Sequence, residues 1–231
     1  MTTAVGRLSR ATGFDATALG STSQATAFRA TAVCTLSAAS AENSTAIGAN
    51  SKANANFALA VGTNATAGGL ASIAFGAGSN ASNTGAIAKG VNAVASGANS
   101  SALGTEARAT AEDALAVGHL TEASGIDAIA IGKSALANKA NSTAMGTEAK
   151  ATGENATTYG DSSTASGTNS SAFGFKATAS GGDSTSIGKA SSATRQGATA
   201  IGHLAQATAD RTTAIGTGSK ANARCALAVG W

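Results

Sequence analysis

Few residues of this chain have types that could carry out chemistry, and their placement argues against an active site. His119 and His203 each follow a glycine, in the sequence Gly-His-Leu, and lie six repeats apart. A catalytic zinc site needs three protein ligands in one place, so we expect no metal within one chain, while a cluster of the same histidine from three copies stays open. The serines fall on positions that packing explains, without the adjacent base of a Ser-His-Asp triad. We predict no enzymatic activity, no catalytic residue and no cofactor.

The elements that hold these residues are set by an internal repeat of fourteen residues. A glycine recurs at this spacing from Gly6 to Gly230, and Cys34 is the one break in the series. We number each repeat from this glycine, which is position 0. A strict internal period is typical of solenoid proteins, in which each repeat stacks on its neighbours. We therefore expect one repeat domain over residues 1–231, with about sixteen repeats.

Small residues at alternating positions predict two short strands in each repeat. Position 5 is Ala in all sixteen complete repeats, position 3 is small throughout, and position 12 is Ala in nearly all. Residues two apart lie on the same face of a strand, so we expect strands around positions 3–6 and 10–13. Asn or Asp at position 9 and Gly at positions 0 and 7 favour the turns. The predicted fold class is all-β, a narrow parallel β-solenoid with fourteen residues per coil.

Position 13 carries a large side chain in almost every repeat, and the narrow interior has no room for it. Full burial of one such side chain stabilises a protein by roughly 1.5–3 kcal/mol, and an exposed apolar stripe of this length indicates an interface. A partner with the same period is needed, so we expect parallel copies of this chain around a symmetry axis. The predicted interface residues are Leu19, Val33, Ile47, Val61, Phe75, Leu103, Val117, Ile131, Met145, Tyr159, Phe173, Ile187, Ile201, Ile215 and Val229.

One segment carries the motif of a known family. Residues 43–51, Asn-Ser-Thr-Ala-Ile-Gly-Ala-Asn-Ser, resemble the NSVAIGxxS motif of YadA-type heads of trimeric autotransporter adhesins, with Thr45 in place of Val. Related versions recur at residues 99–104, 141–146 and 169–174, in register with the fourteen-residue period. The resemblance covers essentially the whole chain. It implies a left-handed parallel β-roll that assembles as a parallel homotrimer.

The same resemblance implies a function in cell adhesion. Family members are displayed on the outer membrane of Gram-negative bacteria, bind host matrix proteins such as collagen, fibronectin and laminin, and often agglutinate cells. The motif is tied to collagen binding in the family, so the residues carried over as ligand-binding are Asn43, Ser44, Thr45, Ile47 and Ser51. These residues can equally be needed only to build the coil. We expect the chain to be a fragment of a longer protein, with membrane contact only through a C-terminal anchor that this sequence lacks.

Lys89 and the two cysteines depart from the repeat pattern. Lys89 replaces the apolar residue at position 13 and is either a local defect or, where three copies meet near an axis, an anion site. Cys34 and Cys225 are more than thirteen coils apart, or roughly 65 Å at one coil per strand spacing. A disulfide needs Cα atoms within about 7 Å, so we expect none within one chain, while an interchain bridge stays open.

Composition and charge exclude several other functions. The net charge is +3 and the fifteen Lys and Arg residues are scattered, which does not favour nucleic-acid binding. The sequence contains no run of about eighteen apolar residues, which is the length needed to span a bilayer. Its N-terminus does not resemble a secretion signal. Two alternatives to an adhesin head remain. One is a structural spacer in a surface fibre, and the other is an ice-binding solenoid, which lacks support because position 13 is bulky and apolar.

Overall fold

The structure is a computed structural model that describes residues 1–230, and within that range it contains only strands, turns and bends. The backbone groups into two compact units, residues 1–116 and residues 117–231. The last residue of the second unit, Trp231, lies outside the described residues. Both units are built in the same way. None of the described residues forms a helix that is long and apolar enough to cross a membrane.

Each repeat contributes one three-residue strand at positions 11–13 and one two-residue strand at positions 4–5. The three-residue strands, here called the long strands, are Thr3–Val5, Thr17–Leu19, Thr31–Val33, Thr45–Ile47, Leu59–Val61, Ile73–Phe75, Ile87–Lys89, Ser101–Leu103, Leu115–Val117, Ile129–Ile131, Thr143–Met145, Thr157–Tyr159, Ser171–Phe173, Thr185–Ile187, Thr199–Ile201, Thr213–Ile215 and Leu227–Val229. The two-residue short strands are Arg10–Ala11, Gln24–Ala25, Ala38–Ala39, Lys52–Ala53, Thr66–Ala67, Asn80–Ala81, Val94–Ala95, Arg108–Ala109, Glu122–Ala123, Leu136–Ala137, Lys150–Ala151, Thr164–Ala165, Thr178–Ala179, Ser192–Ala193, Gln206–Ala207 and Lys220–Ala221.

Within each unit, long strands pair with long strands and short strands with short strands, always in parallel. Partner residues are one repeat apart, so that Val33 pairs with Ile47, and Ile47 with Val61. The two walls of every coil therefore belong to two separate parallel sheets. The predicted all-β parallel solenoid, with fourteen residues per coil, is confirmed.

The interior between the two sheets is filled by the small residues at positions 3, 5, 10 and 12. In one coil, Ser51, Ala53, Ala58 and Ala60 are each almost completely buried. Alanine favours helix in isolation, but here its small volume decides the outcome, because only a methyl-sized side chain fits between walls this close. Position 5 is uniformly Ala for this reason.

The buried serines at position 3 are satisfied by the turn that precedes them. Ser51 Oγ donates a hydrogen bond to the carbonyl oxygen of Gly48 at 2.8 Å, and Ser79 Oγ donates to that of Gly76 at the same distance. A buried hydroxyl without a partner would cost free energy. The position-0 carbonyl therefore explains why serine is as acceptable as alanine at position 3.

The turns depend on backbone conformations that favour glycine, Asn and Asp. Gly62 at position 0 has a φ of +131°, and a Cβ there would lie 2.6 Å from the carbonyl carbon of Gly76 in the next coil. Asn155 at position 9 has a φ of +55°. The predicted turns at positions 0 and 9 are thus confirmed. Glycine at position 7 has another cause, because a Cβ on Gly13 would collide with the carbonyl oxygen of Ala27 rather than meet a left-handed backbone.

Candidate functional site

The face of the long strands that points away from the interior carries the residues of position 13, which we call the apolar stripe. In the first unit it includes Leu19, Ile47 and Phe75, which are 36%, 38% and 50% exposed. In the second unit it includes Tyr159 and Ile201, which are 58% and 37% exposed. The parallel register aligns each stripe residue with the next at the spacing of one coil.

Every residue predicted for the interface lies on this face, as position 13 requires. Those of the first unit are Leu19, Val33, Ile47, Val61, Phe75 and Leu103, and those of the second are Val117, Ile131, Met145, Tyr159, Phe173, Ile187, Ile201, Ile215 and Val229. All are half-buried or exposed rather than enclosed. Large apolar side chains kept out of the interior, in coil after coil, leave a surface that is unusual for an isolated chain.

Shallow grooves lie along the stripe in both units. One, of about 550 Å³, is lined in the first unit by Phe75, Lys89, Val91, Leu103 and Thr105 together with three glycines. The other, of about 380 Å³, lies in the second unit and is lined by Ile131, Met145 and Tyr159, with Thr147 and Asp161 at its polar side. Both grooves therefore lie on the apolar face.

The motif residues 43–51 divide into buried and accessible side chains. Ser44 and Ser51 are completely buried, and their hydroxyls donate to backbone carbonyl oxygens of the same coil, those of Ala41 and Gly48. They can affect a ligand only through the shape of the coil. Asn43 and Thr45 are half-buried, and Ile47 is 38% exposed. The accessible part of the predicted ligand site is therefore Asn43, Thr45 and Ile47, for which a binding role stays a prediction.

Asn43 also has a backbone reason for its type. Its φ is +54°, its N–H donates to the carbonyl oxygen of Phe28 at 2.9 Å, and its side-chain amide lies 3.4 Å from a carboxylate oxygen of Glu42. Asparagine tolerates the left-handed conformation better than most residues. The turn alone is enough to account for Asn at this position.

The histidines and cysteines are exposed single residues. His119 and His203 lie at the corner that follows the position-0 glycine, and no group of three His, Cys, Asp or Glu residues in the described range is arranged to hold a metal ion. Cys34 and Cys225 are both free thiols on the surface. Cys34 occupies the corner that glycine holds in the other coils and has a φ of +94°.

Sequence reasoning missed an aromatic corner in the first unit. Phe14 and Phe28, both at position 8, stack with ring centroids 5.9 Å apart and planes 10° apart, and the Arg29 guanidinium lies 4.7 Å from the Phe28 centroid. Phe14 is 67% exposed. The available signal was the recurrence of Phe after fourteen residues, because the solenoid places such residues directly beside each other.

Polar ladders on the surface were also missed. In the second unit, Asn141 donates to Asn155, Asn155 to Asn169, and Asn169 to Asp183, over distances of 3.0–3.1 Å. Gln196 completes the series by donating to the other carboxylate oxygen of Asp183 at 2.7 Å. Identical residue types at one repeat position form such ladders because parallel register brings their side chains together.

A family model described as the YadA head domain repeat matches almost the whole chain. The matched segments are 11–33, 39–65, 67–93, 81–107, 95–121, 109–135, 123–149, 137–163, 151–170, 165–191, 179–205, 193–219 and 207–231. The chain belongs to the family of YadA head domain repeats. Its role is therefore of the adhesin type, and the resemblance read from residues 43–51 is confirmed.

A solved structure and the curated proteins complete the comparison. The chain is similar to the crystal structure of the collagen-binding domain of the Yersinia adhesin YadA, at 26% identity, covering 71% of this chain and 68% of that one, with a TM-score of 0.37. At that TM-score the superposition adds nothing to the match with the family model. No curated protein sequence matches this YadA head.

Proposed function

We propose that this YadA head is a parallel homotrimer on the surface of a Gram-negative bacterium, where it attaches the cell to extracellular-matrix proteins of the host, collagen first among them. Membership of the family of YadA head repeats supports the adhesin-type role. The observation that carries the trimer is the apolar stripe, to which every described coil except that of Lys89 contributes a large apolar side chain and which the fold of one chain leaves uncovered.

Copies of the same chain suit the stripe better than any other partner. A partner must present an apolar surface that repeats at each coil, and a parallel copy does so without any further requirement on sequence. Closed cyclic symmetry is the common solution for such self-association. Three chains agree with the family, and the short-strand faces with their Lys, Arg, Ser and Thr residues stay in water.

The mechanism of adhesion is multivalent contact. Most coils offer a short, polar outer face on the short strand, and three chains multiply these faces around the axis. Weak contacts that can form simultaneously give a much higher effective affinity than any one of them. A fibrous matrix protein such as collagen, which itself repeats, can engage several coils at once.

The test begins with the mass of the purified chain in solution and continues with binding. We expect a trimer that binds immobilised collagen, with fibronectin and laminin as the alternative ligands and albumin as the negative control. A folded trimer that binds none of the three matrix proteins or host cells would count against the adhesin role. A folded monomer would count against the assembly itself.

The accessible motif residues can be examined with a pair of matched variants. Asn43→Gly removes an amide but keeps a residue that accepts the φ of +54°, and Asn50→Gly does the same at a φ of +56° on the other corner of the coil. If Asn43 contacts collagen, only Asn43→Gly weakens binding. Equal binding by both variants would show that the Asn43 amide is not part of the ligand site.

A spacer role is the second candidate, because the coils are so uniform. Deletion of two whole repeats, twenty-eight residues in register, would leave the solenoid intact by its one-dimensional construction. A spacer predicts unchanged adhesion with a shorter reach. An adhesin head predicts weaker adhesion, because contacts are lost in proportion to the coils removed.

A further inference from the structure

Lys89 is the one residue of the described apolar stripe that carries a charge. It ends the long strand Ile87–Lys89 and pairs in register with Phe75 on one side and Leu103 on the other. Its side chain is exposed on the same face as theirs. An ammonium group thus lies in line with large apolar side chains, one coil away from each.

No carboxylate of the described chain neutralises Lys89. The single ion pair within residues 1–230 joins the N-terminal ammonium group to Asp15, at 2.6 Å. The groove that Lys89 lines is otherwise formed by Phe75, Val91, Leu103 and glycines, and Thr105 supplies its only other polar side chain. The ammonium group therefore depends on water for its stabilisation in a single chain.

Assembly would change that environment. In a parallel trimer the three copies of Lys89 lie at the same height, and covering the stripe removes water from around them. A desolvated charge without a partner is strongly destabilising, and like charges brought together add to the cost. The three ammonium groups offer nine N–H donors to anything that can accept them.

We propose that the three Lys89 side chains of the trimer together bind one inorganic oxyanion of the sulfate or phosphate class, with the Thr105 hydroxyl groups as additional donors. This inference rests on the proposed trimer, because one chain supplies only a third of the site. A tetrahedral oxyanion offers several acceptor oxygens and two negative charges, which suit a cluster of ammonium groups. The competing arrangement is an ion pair between Lys89 and the exposed Glu106 of a neighbouring copy.

The experiment measures unfolding of the complete chain as sodium sulfate replaces sodium chloride at constant ionic strength. The variants are Lys89→Gln and, as a matched control, Lys52→Gln, which changes an exposed lysine on the outer face of a short strand in the same unit. Sulfate stabilises most proteins to a small extent by exclusion from their surface, and this general effect is common to all three proteins. Lys52→Gln controls for the loss of one lysine charge outside the proposed site. Sedimentation at each condition gives the number of chains.

Specific binding predicts a saturable gain in stability. At a sulfate concentration one hundred times the dissociation constant, the apparent folding constant of the trimer rises about a hundredfold in the wild type and in Lys52→Gln. Lys89→Gln shows only the small, non-saturating gain. Calorimetry of the wild type then gives one sulfate for every three chains, and phosphate competes for the same site.

Three results would overturn the inference. If the chain is a trimer and Lys89→Gln responds to sulfate like the wild type, Lys89 does not bind the anion, while the proposed assembly survives. If Glu106→Gln destabilises the wild-type trimer but not the Lys89→Gln trimer, the counter-charge of Lys89 is that carboxylate. A monomeric wild type removes both the site and the proposed trimer.

Discussion

The strongest prediction concerns truncation of the apolar stripe in the first unit. The triple variant Leu19→Ala, Ile47→Ala, Phe75→Ala removes side chains that are 36%, 38% and 50% exposed in one chain. These side chains lie outside the coil, so the interior of each chain stays packed. We expect the variant chain to keep its β-sheet spectrum and to lose its assembly.

The size of the effect follows from the exposed fractions. Covering a complete side chain of this kind is worth roughly 1.5–3 kcal/mol, so covering about 40% of each of the three contributes about 2–4 kcal/mol per chain. Three chains bring the total to about 6–11 kcal/mol per trimer. At 1.4 kcal/mol for each factor of ten, the association constant falls by at least roughly four orders of magnitude.

A matched control lies on the corner of the same unit. Phe28, Phe57 and Leu70 are 37%, 60% and 48% exposed at positions 8 and 9, away from the stripe. Their triple replacement by Ala removes a comparable apolar surface. We expect this variant to remain assembled, in sedimentation equilibrium over a wide concentration range, while the stripe variant dissociates. Dissociation of the corner variant alone would place the interface at the corner, and unchanged assembly of the stripe variant would refute the reasoning.

Three further predictions concern the stability of the coil, measured by denaturant unfolding. Gly62→Ala should lower the free energy of unfolding by well over the roughly 1–2 kcal/mol of left-handed strain, because its Cβ would lie 2.6 Å from the next coil. Gly218→Ala has open space around its Cβ and should cost only the strain. Equal losses in the two variants would contradict the close approach at Gly62. Ala81→Leu, at a fully buried position, should cost at least about 1–3 kcal/mol by overpacking, and a neutral result would mean that the walls can separate. Cys34→Gly should raise the free energy of unfolding by up to about 2 kcal/mol. The reason is that glycine adopts a φ of +94° without the strain of a side chain, which outweighs the added freedom of the unfolded chain. A loss of stability would show that the corner is not strained.

The interior could be predicted from the sequence because its constraint is the same in every coil. Ala81 and its equivalents are enclosed on all sides by two sheets of fixed separation, so only one size of residue is acceptable and the pattern becomes visible. The strands themselves are shorter than the pattern indicates, at two and three residues, because turns at positions 2 and 9 take up the remainder of each coil. Non-glycine residues with left-handed φ at position 2, such as Leu120 and Glu148, have no sequence signal, since stacking onto neighbouring coils imposes the conformation.

The surface could be predicted only where it repeats. The stripe residues were found because position 13 is apolar in coil after coil, whereas the Phe14–Phe28 stack involves just two repeats, so its signal in the sequence is a single recurrence of Phe. Ser44 and Ser51 belong to the motif as Asn43 does, yet the structure shows both of them completely buried. A motif that identifies a family combines residues that build the coil with residues that face a ligand, and its spacing alone does not separate them.

Ligand specificity in a YadA head must come from the positions at which the coils differ. Residues shared by all coils, such as the alanine at position 5, cannot distinguish one ligand from another, because every coil of this chain needs them to fold. Positions that vary from coil to coil are free of that requirement, since a solenoid tolerates local change without loss of register. Arg29 over the Phe28 ring, on the exposed corner, is such a departure. We expect substitution there to change what the molecule binds while the fold remains intact.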